Sequence, residues 1–134
     1  VCASMNPNWQ KQKLFCVNTT NNYVHKLNEG YVMTKSKVFI PNRSIHDFSA
    51  AEVYGEIVFL SEGNIRKYAT NILYREFYEI LKTSDPTDYI LISGLTVLNV
   101  IATLIMQRLH GRVNLLLFKP GRGGKKHYVE RVIA

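Results

Sequence analysis

Between Lys119 and His127 the chain sets Lys119, Arg122, Lys125, Lys126 and His127 among three glycines. Cations spaced by glycine can close on a phosphate, because the backbone is free to turn N–H and ammonium groups toward the same oxygens. The run Gly121-Arg122-Gly123-Gly124-Lys125-Lys126 is not a Walker loop, however. The four-residue gap between glycines is missing and no Ser or Thr follows the lysine. The HYVERVI run that comes next reads as a strand, where a Walker loop opens a helix.

A second group of chemistry-bearing residues is scattered through turns. His46 and Asp47 could act as a general base and its orienting carboxylate, with Glu62 as a further acid. Asp47 has a competing role as a helix cap. Ser93, Gly94 and Thr96 offer hydroxyl and backbone donors at a helix start, and Arg43, Lys119 and Arg122 could add charge for an anion. No GxGxxG follows a strand, and no GxSxG elbow, HExxH or paired-cysteine knuckle occurs, so neither a cofactor nor a metal is expected. The two cysteines, Cys2 and Cys16, have no histidine partner at metal-ligand spacing.

For these residues to act together, something must bring the turns to one edge. The elements that could do so are legible from Lys37 onward. Four apolar runs read as strands near residues 37–40, 56–60, 88–93 and 112–118, and His127 to Ile133 fits an edge strand returning antiparallel. EIVFL, YILI and NLLLF are nearly unbroken apolar runs, as strands covered on both faces should be. Between them fall a brief helix over Asp47 to Tyr54 stopped by Gly55, a helix from an Asn64 cap to about Lys82, and a helix over Leu95 to His110 ended by Gly111. The first long helix puts Ile65, Ala69, Ile72, Leu73, Phe77, Ile80 and Leu81 on one face at 3.6 spacing, with Tyr74 and Tyr78 on the side away from it. Glu76 falls inside that apolar arc, near Ile65, Ala69, Ile72 and Ile80, where a buried carboxylate would need a partner and one at the rim would keep its head in water. Strands alternating with helices define βαβ units.

The fold predicted is therefore α/β: a single-domain, Rossmann-like, three-layer arrangement around a mainly parallel sheet of about 4–6 strands, with an antiparallel C-terminal edge hairpin. Residues 1–22 are expected to be a polar, partly flexible segment preceding the domain at 23–134. Within it Lys13 to Val17 could form a short strand, and Tyr23 to Lys35 shows no clear period. In such sheets ligands bind outside the carboxyl ends of the strands, and here the turns 42–47, 61–64, 93–96 and 119–122 converge on that edge.

Bulk properties narrow the function. Hydrophobic content of 46% with 20% charged residues excludes wholesale disorder. The apolar stretch Leu95 to Met106 is too short for a membrane span and is broken by Thr96, Asn99 and Thr103. Val1 to Gln10 lacks the features of a secretory signal, so the expected location is the cytoplasm, with no membrane partner. The net charge of +7 is uneven. Residues 1–46 carry six basic groups against Glu29, residues 119–134 sum to +4, and the middle is mildly acidic. Basic ends favour an anionic partner, nucleic acid or a nucleotide.

Three functions compete. The leading one is a small binding module that grips an anion with the basic hairpin and the strand-end crevice, through Arg43, Ser93, Gly94, Thr96, Lys119, Arg122, Lys125 and Lys126. The second is a phosphate-substrate hydrolase or transferase around His46, Asp47 and Glu62. The third is an interaction or scaffold protein, a homodimer joined through Tyr74 and Tyr78 or through the broad apolar arc of the second helix.

Overall fold

The computed structural model describes residues 15–17, 22–27 and 30–134, with side chains from Ser36 onward. The expectation for residues 1–22 falls almost wholly outside the described residues. Strands β1 (Phe15–Val17), β2 (Asn22–Leu27) and β3 (Gly30–Lys35) form an antiparallel meander. The stretch with no sequence period is thus a hairpin.

The second sheet contains β4 (Lys37–Ile40), β5 (Glu56–Phe59), β6 (Tyr89–Leu91), β7 (Val113–Pro120) and β8 (Lys126–Ile133). Its order is β5-β4-β6-β7-β8. The first four strands are mutually parallel and β8 pairs antiparallel with β7 at the edge. This is the mixed α/β sheet that the alternating runs predicted.

The chain leaves β4 toward one side of the sheet, then returns past it to β6 and continues to β7. Right-handed crossovers that run in opposite directions must lie on opposite faces. The packing obeys this. Helices α1 (Thr70–Leu81) and α2 (Thr96–His110), which serve the return direction, bury Leu73, Phe77, Leu81, Leu98, Ile101, Ala102, Ile105 and Met106 against Phe39, Ile90 and Val113. The other face, made by Val38, Ile40, Tyr89, Leu91, Leu116 and Tyr128, is covered by Phe48 and Ala51 from the β4–β5 connection. That covering layer is thin, a 3₁₀ turn at Ser49–Val53.

The brief helix expected over 47–54 is therefore this shorter turn. The Asp47 carboxylate accepts the Ser49 N–H at 2.9 Å, which is its capping role. Gly55 ends the turn for a steric reason, since a Cβ there would stand 2.1 Å from the Ser36 carbonyl oxygen. Gly55→Ala must push β4 and β5 apart. A loss of about 3 kcal/mol or more is expected, measured by urea denaturation against wild type. A loss below about 1 kcal/mol would show that the backbone there is free to shift.

Helix α1 begins later than the Asn64 cap predicts. Arg43 bridges to Glu62 beyond the end of β5, and the Arg43 N–H donates to Ser61 O at 2.9 Å, so the chain stays tied to the sheet through Glu62. Residues 63–69 then climb onto the helix face by turns, closed by Lys67 N–H to Ile65 O and Ala69 N–H to Arg66 O. Ile65 still packs on the core, but from a turn. One position of the predicted arc and one outside it differ. Ile72 is exposed, while Tyr74 packs against the core cluster instead of facing away from it. The helix is rotated so that Leu73, Phe77 and Leu81, spaced at i, i+4 and i+8, make the buried ridge. Glu76 is in water, where a rim carboxylate belongs.

Helix α2 begins one residue after the predicted Leu95, with the polar Asn99 and His110 buried, and Gly111 ends it in the left-handed conformation at φ 69°. No helix among the described residues is long and apolar enough to cross a membrane.

Candidate functional site

The connection after β4 leaves over one face and the connection after β6 over the other. A crevice opens between them at the carboxyl ends of the strands. It holds a cleft of about 270 Å³ lined by His46, Asp47, Phe48, Leu91, Ile92, Ser93, Gly94, Phe118, Lys126 and Tyr128. Three segments build it: the loop after β4, the end of β6 with its turn into α2, and the base of the β7–β8 hairpin.

Each wall has a local cause. The turn 93–95 is held by Asn99 of α2, whose side-chain oxygen accepts the Ser93 N–H at 3.1 Å while its amide donates to Ser93 O at 2.9 Å and Leu95 O at 3.0 Å. Gly94 takes φ 71°, which a residue with a Cβ rarely adopts. The hairpin is in continuous register from Val113↔Ile133 to Pro120↔Lys126. Alternation along the pair therefore puts Phe118, Lys126 and Tyr128 on the same face. Phe118 and Tyr128 meet edge to face at 5.9 Å, and Phe48 meets His46 in the same manner at 6.3 Å. The floor is thus apolar and aromatic, and the rim is His46, Asp47, Ser93 and Lys126.

The rim carries one fixed negative charge and one positive. Donation from the Ser49 N–H, with Lys126 nearby, holds the Asp47 carboxyl below its ordinary range, so it is ionised at neutral pH. His46 and Asp47 are both exposed. Just before them Ile45 stands fully in water.

Of the residues picked from sequence, His46, Asp47, Ser93, Gly94 and Lys126 line this one cleft. Glu62 and Arg43 do not line it. They pair with each other at 2.7 Å beside β5, and the Arg43 guanidinium lies 4.2 Å over the Phe59 ring. Thr96 lines a second, shallower hollow with Lys67, Tyr68, Thr70, Leu95 and Val97. Lys119, Arg122 and Lys125 are exposed along the hairpin. Tyr74 and Tyr78 stack at 6.4 Å with planes 7° apart, and Arg108 donates to the Tyr74 hydroxyl at 3.0 Å.

Sequence reasoning did not single out the aromatic floor. Phe118 reads as the last residue of an apolar strand and Tyr128 as one of an alternating run. Only the hairpin register shows that they share a face with Lys126.

At the opposite end of the sheet lies a buried polar cluster that the sequence reading also passed over. Asp88 is 1% exposed and accepts the Lys37 N–H at 2.9 Å and the Asp85 N–H at 2.8 Å. Burial outweighs those two donors and raises its carboxyl to about 6. Ser84 Oγ stands 2.8 Å from His110 Nε2 and 3.3 Å from Met106 Sδ. His110 Nδ1 meets no hydrogen-bond partner. Burial lowers this imidazole to about 4, so it is neutral at pH 7. The Ser84–His110 pair resembles a nucleophile and its base, but both residues are buried. Its role is to tie the end of α2 to the turn before β6.

The fold and this site define a small α/β domain with an aromatic cleft at its strand ends and a basic hairpin beside it. Residues 31–133 match the family of phage Pam3 gp32-like proteins, and the chain belongs to that family. No curated protein and no solved structure matches the chain.

Proposed function

We propose that this protein is a small nucleic-acid-binding module that holds its partner's phosphates on the β7–β8 hairpin. The observation that supports this most is the reach of that hairpin. Register pairing continues from Leu117↔Val129 to Pro120↔Lys126, four pairs past the level at which β6 ends against Leu116. The overhang exposes Lys119, Arg122, Lys125 and Lys126. No Asp or Glu occurs in the chain between Asp88 and Glu130, and Asp47 lies near Lys126 at the base of the arm. A cationic arm standing clear of the sheet can follow a phosphate backbone, whose binding is largely counterion release.

The strand order, with β5 outside β4 and β6 on its other side, supports placing the sheet in the Rossmann-like, doubly wound class, in which the strand-end crevice is the usual binding position. The enzyme reading is weaker, because Glu62 pairs with Arg43 and does not line the cleft that His46 and Asp47 border. We place the protein in the cytoplasm with its nucleic acid.

The test is an anisotropy titration of labelled single-stranded and duplex DNA and RNA between about 50 and 200 mM salt, with affinity falling along a log-log line. Absence of binding to every one of them at the lower salt would remove the proposal.

A homodimer is the second reading, favoured by apolar groups left in water on α2: Val100 is 56% and Leu104 44% exposed. Two copies covering this strip should give a mass near twice 15.4 kDa by light scattering at micromolar concentration. A mass that stays at that of one chain as concentration rises would sink the dimer, and loss of the dimer on changing the exposed Tyr78 alone to glutamate would put the contact on α1.

A further inference from the structure

We infer that the strand-end cleft is a pocket for a single unstacked nucleobase, so that the nucleic acid bound is single-stranded. This rests on the proposed binding of phosphates by the hairpin and goes on to say what the cleft beside it takes.

The chemistry of the cleft rejects a phosphate and suits a base. Its floor is Phe48, Leu91, Phe118 and Tyr128, which offers a flat apolar ring faces and edges but an anion nothing. Asp47 on the rim is ionised, which repels a phosphate and accepts a hydrogen bond from an amino group or ring N–H of a base. Ser93 can serve either a donor or an acceptor on the base edge. The cations stand outside this floor: Lys126 on the rim, then Lys125, Arg122 and Lys119 along the arm. A strand with its base in the cleft and its phosphates on the arm satisfies both sets.

Size gives the count. At about 270 Å³ the cleft lies just under the ~300 Å³ at which small-molecule pockets begin, room for one ring system and no stack of two. Phe118, half exposed at 50%, is the wall a base can lie against without disturbing the core. A base held inside a duplex presents only its edge, so it must leave the stack to enter.

Three labelled probes on the intact protein decide the matter: a mixed-sequence single-stranded octanucleotide, an abasic sugar-phosphate octamer of the same charge, and a free nucleoside monophosphate as competitor. The octanucleotide should bind about ten- to a hundred-fold tighter than the abasic strand. Phe118→Ala should erase that difference and leave the salt slope unchanged, since no phosphate contact is lost. Asp47→Asn, which keeps an oxygen for the Ser49 N–H, should alter the preference among bases without weakening the abasic strand. Equal binding of both octamers would overturn the base pocket and leave the hairpin reading standing. Failure of both to bind would end the hairpin reading and this inference with it. Competition by the free nucleotide at concentrations matching the octanucleotide would show that the cleft takes a mononucleotide and not a strand.

Discussion

Replacing Lys119, Arg122, Lys125 and Lys126 together by alanine is expected to weaken single-strand binding on the order of 10²- to 10³-fold near ~0.1 M salt, and to flatten the log-log salt dependence by about 3 units. Each phosphate contact contributes about 0.7 to that slope on single strands, and four such cations stand on one arm. All four side chains are exposed, so the variant should melt within a few degrees of wild type. An unchanged slope in a folded variant would place the phosphates elsewhere, with the basic residues of the N-terminal part of the chain the next to alter. Among single changes, Lys126→Ala should cost most, because it is the cation that also borders the aromatic cleft.

Asp88→Ala should be the most damaging substitution at the other end of the sheet, lowering stability by about 2–5 kcal/mol, a large share of the ~5–15 kcal/mol of an ordinary domain. The Asp88 carboxylate takes the Lys37 N–H at the start of β4 and the Asp85 N–H in the turn before β6. Alanine leaves both donors without a partner in a buried site. Urea denaturation measures this, and a loss under about 1 kcal/mol would mean that water enters and replaces the carboxylate.

The same cluster predicts how stability follows pH. Asp88 is raised to about 6 from 3.8, so its contribution is fully present below 3.8 and is lost as pH rises through about 6. His110 is lowered to about 4 from 6.5, so its contribution is present above 6.5 and is lost as pH falls through about 4. Between pH 7 and 4 the two effects, each of about 2 kcal/mol after solvent screening, oppose one another. Wild type should therefore be nearly flat across that window. Asp88→Asn should make the protein lose stability on acidification, and His110→Gln should make it gain. Parallel curves for the three proteins would show that neither group titrates as its burial dictates.

The hairpin cations and the buried Asp88 cluster differ in how visible they are in sequence. The hairpin cations were plain, because clustered Lys, Arg and Gly need no partner to be seen. The four parallel strands and their helices were also plain. A strand buried on both faces must be apolar throughout, and a helix on a sheet must be apolar at 3.6 spacing, so the solvent on either side writes the element into its residues. Gly111 and Gly55 marked ends correctly, one by a positive φ and the other by close approach of backbone.

Local residue patterns suffice for this alternation, the antiparallel return of the last strand and the place of the crevice. All of these follow from local periodicity and from the fixed handedness of βαβ units. The tertiary structure alone decided which of the crevice residues meet. His46, Asp47, Ser93, Gly94 and Lys126 come from three segments and face one cleft because β6 lies between β4 and β7, while Arg43 and Glu62 close on each other because β5 lies on the far side of β4. It also decided that Tyr74 packs inward, that α1 starts at Thr70, and that Asp88 is buried, since each depends on what a distant segment leaves uncovered and on donors such as the Lys37 N–H far along the chain. Strand order is a contest among long-range contacts, and no local pattern of residues records its result.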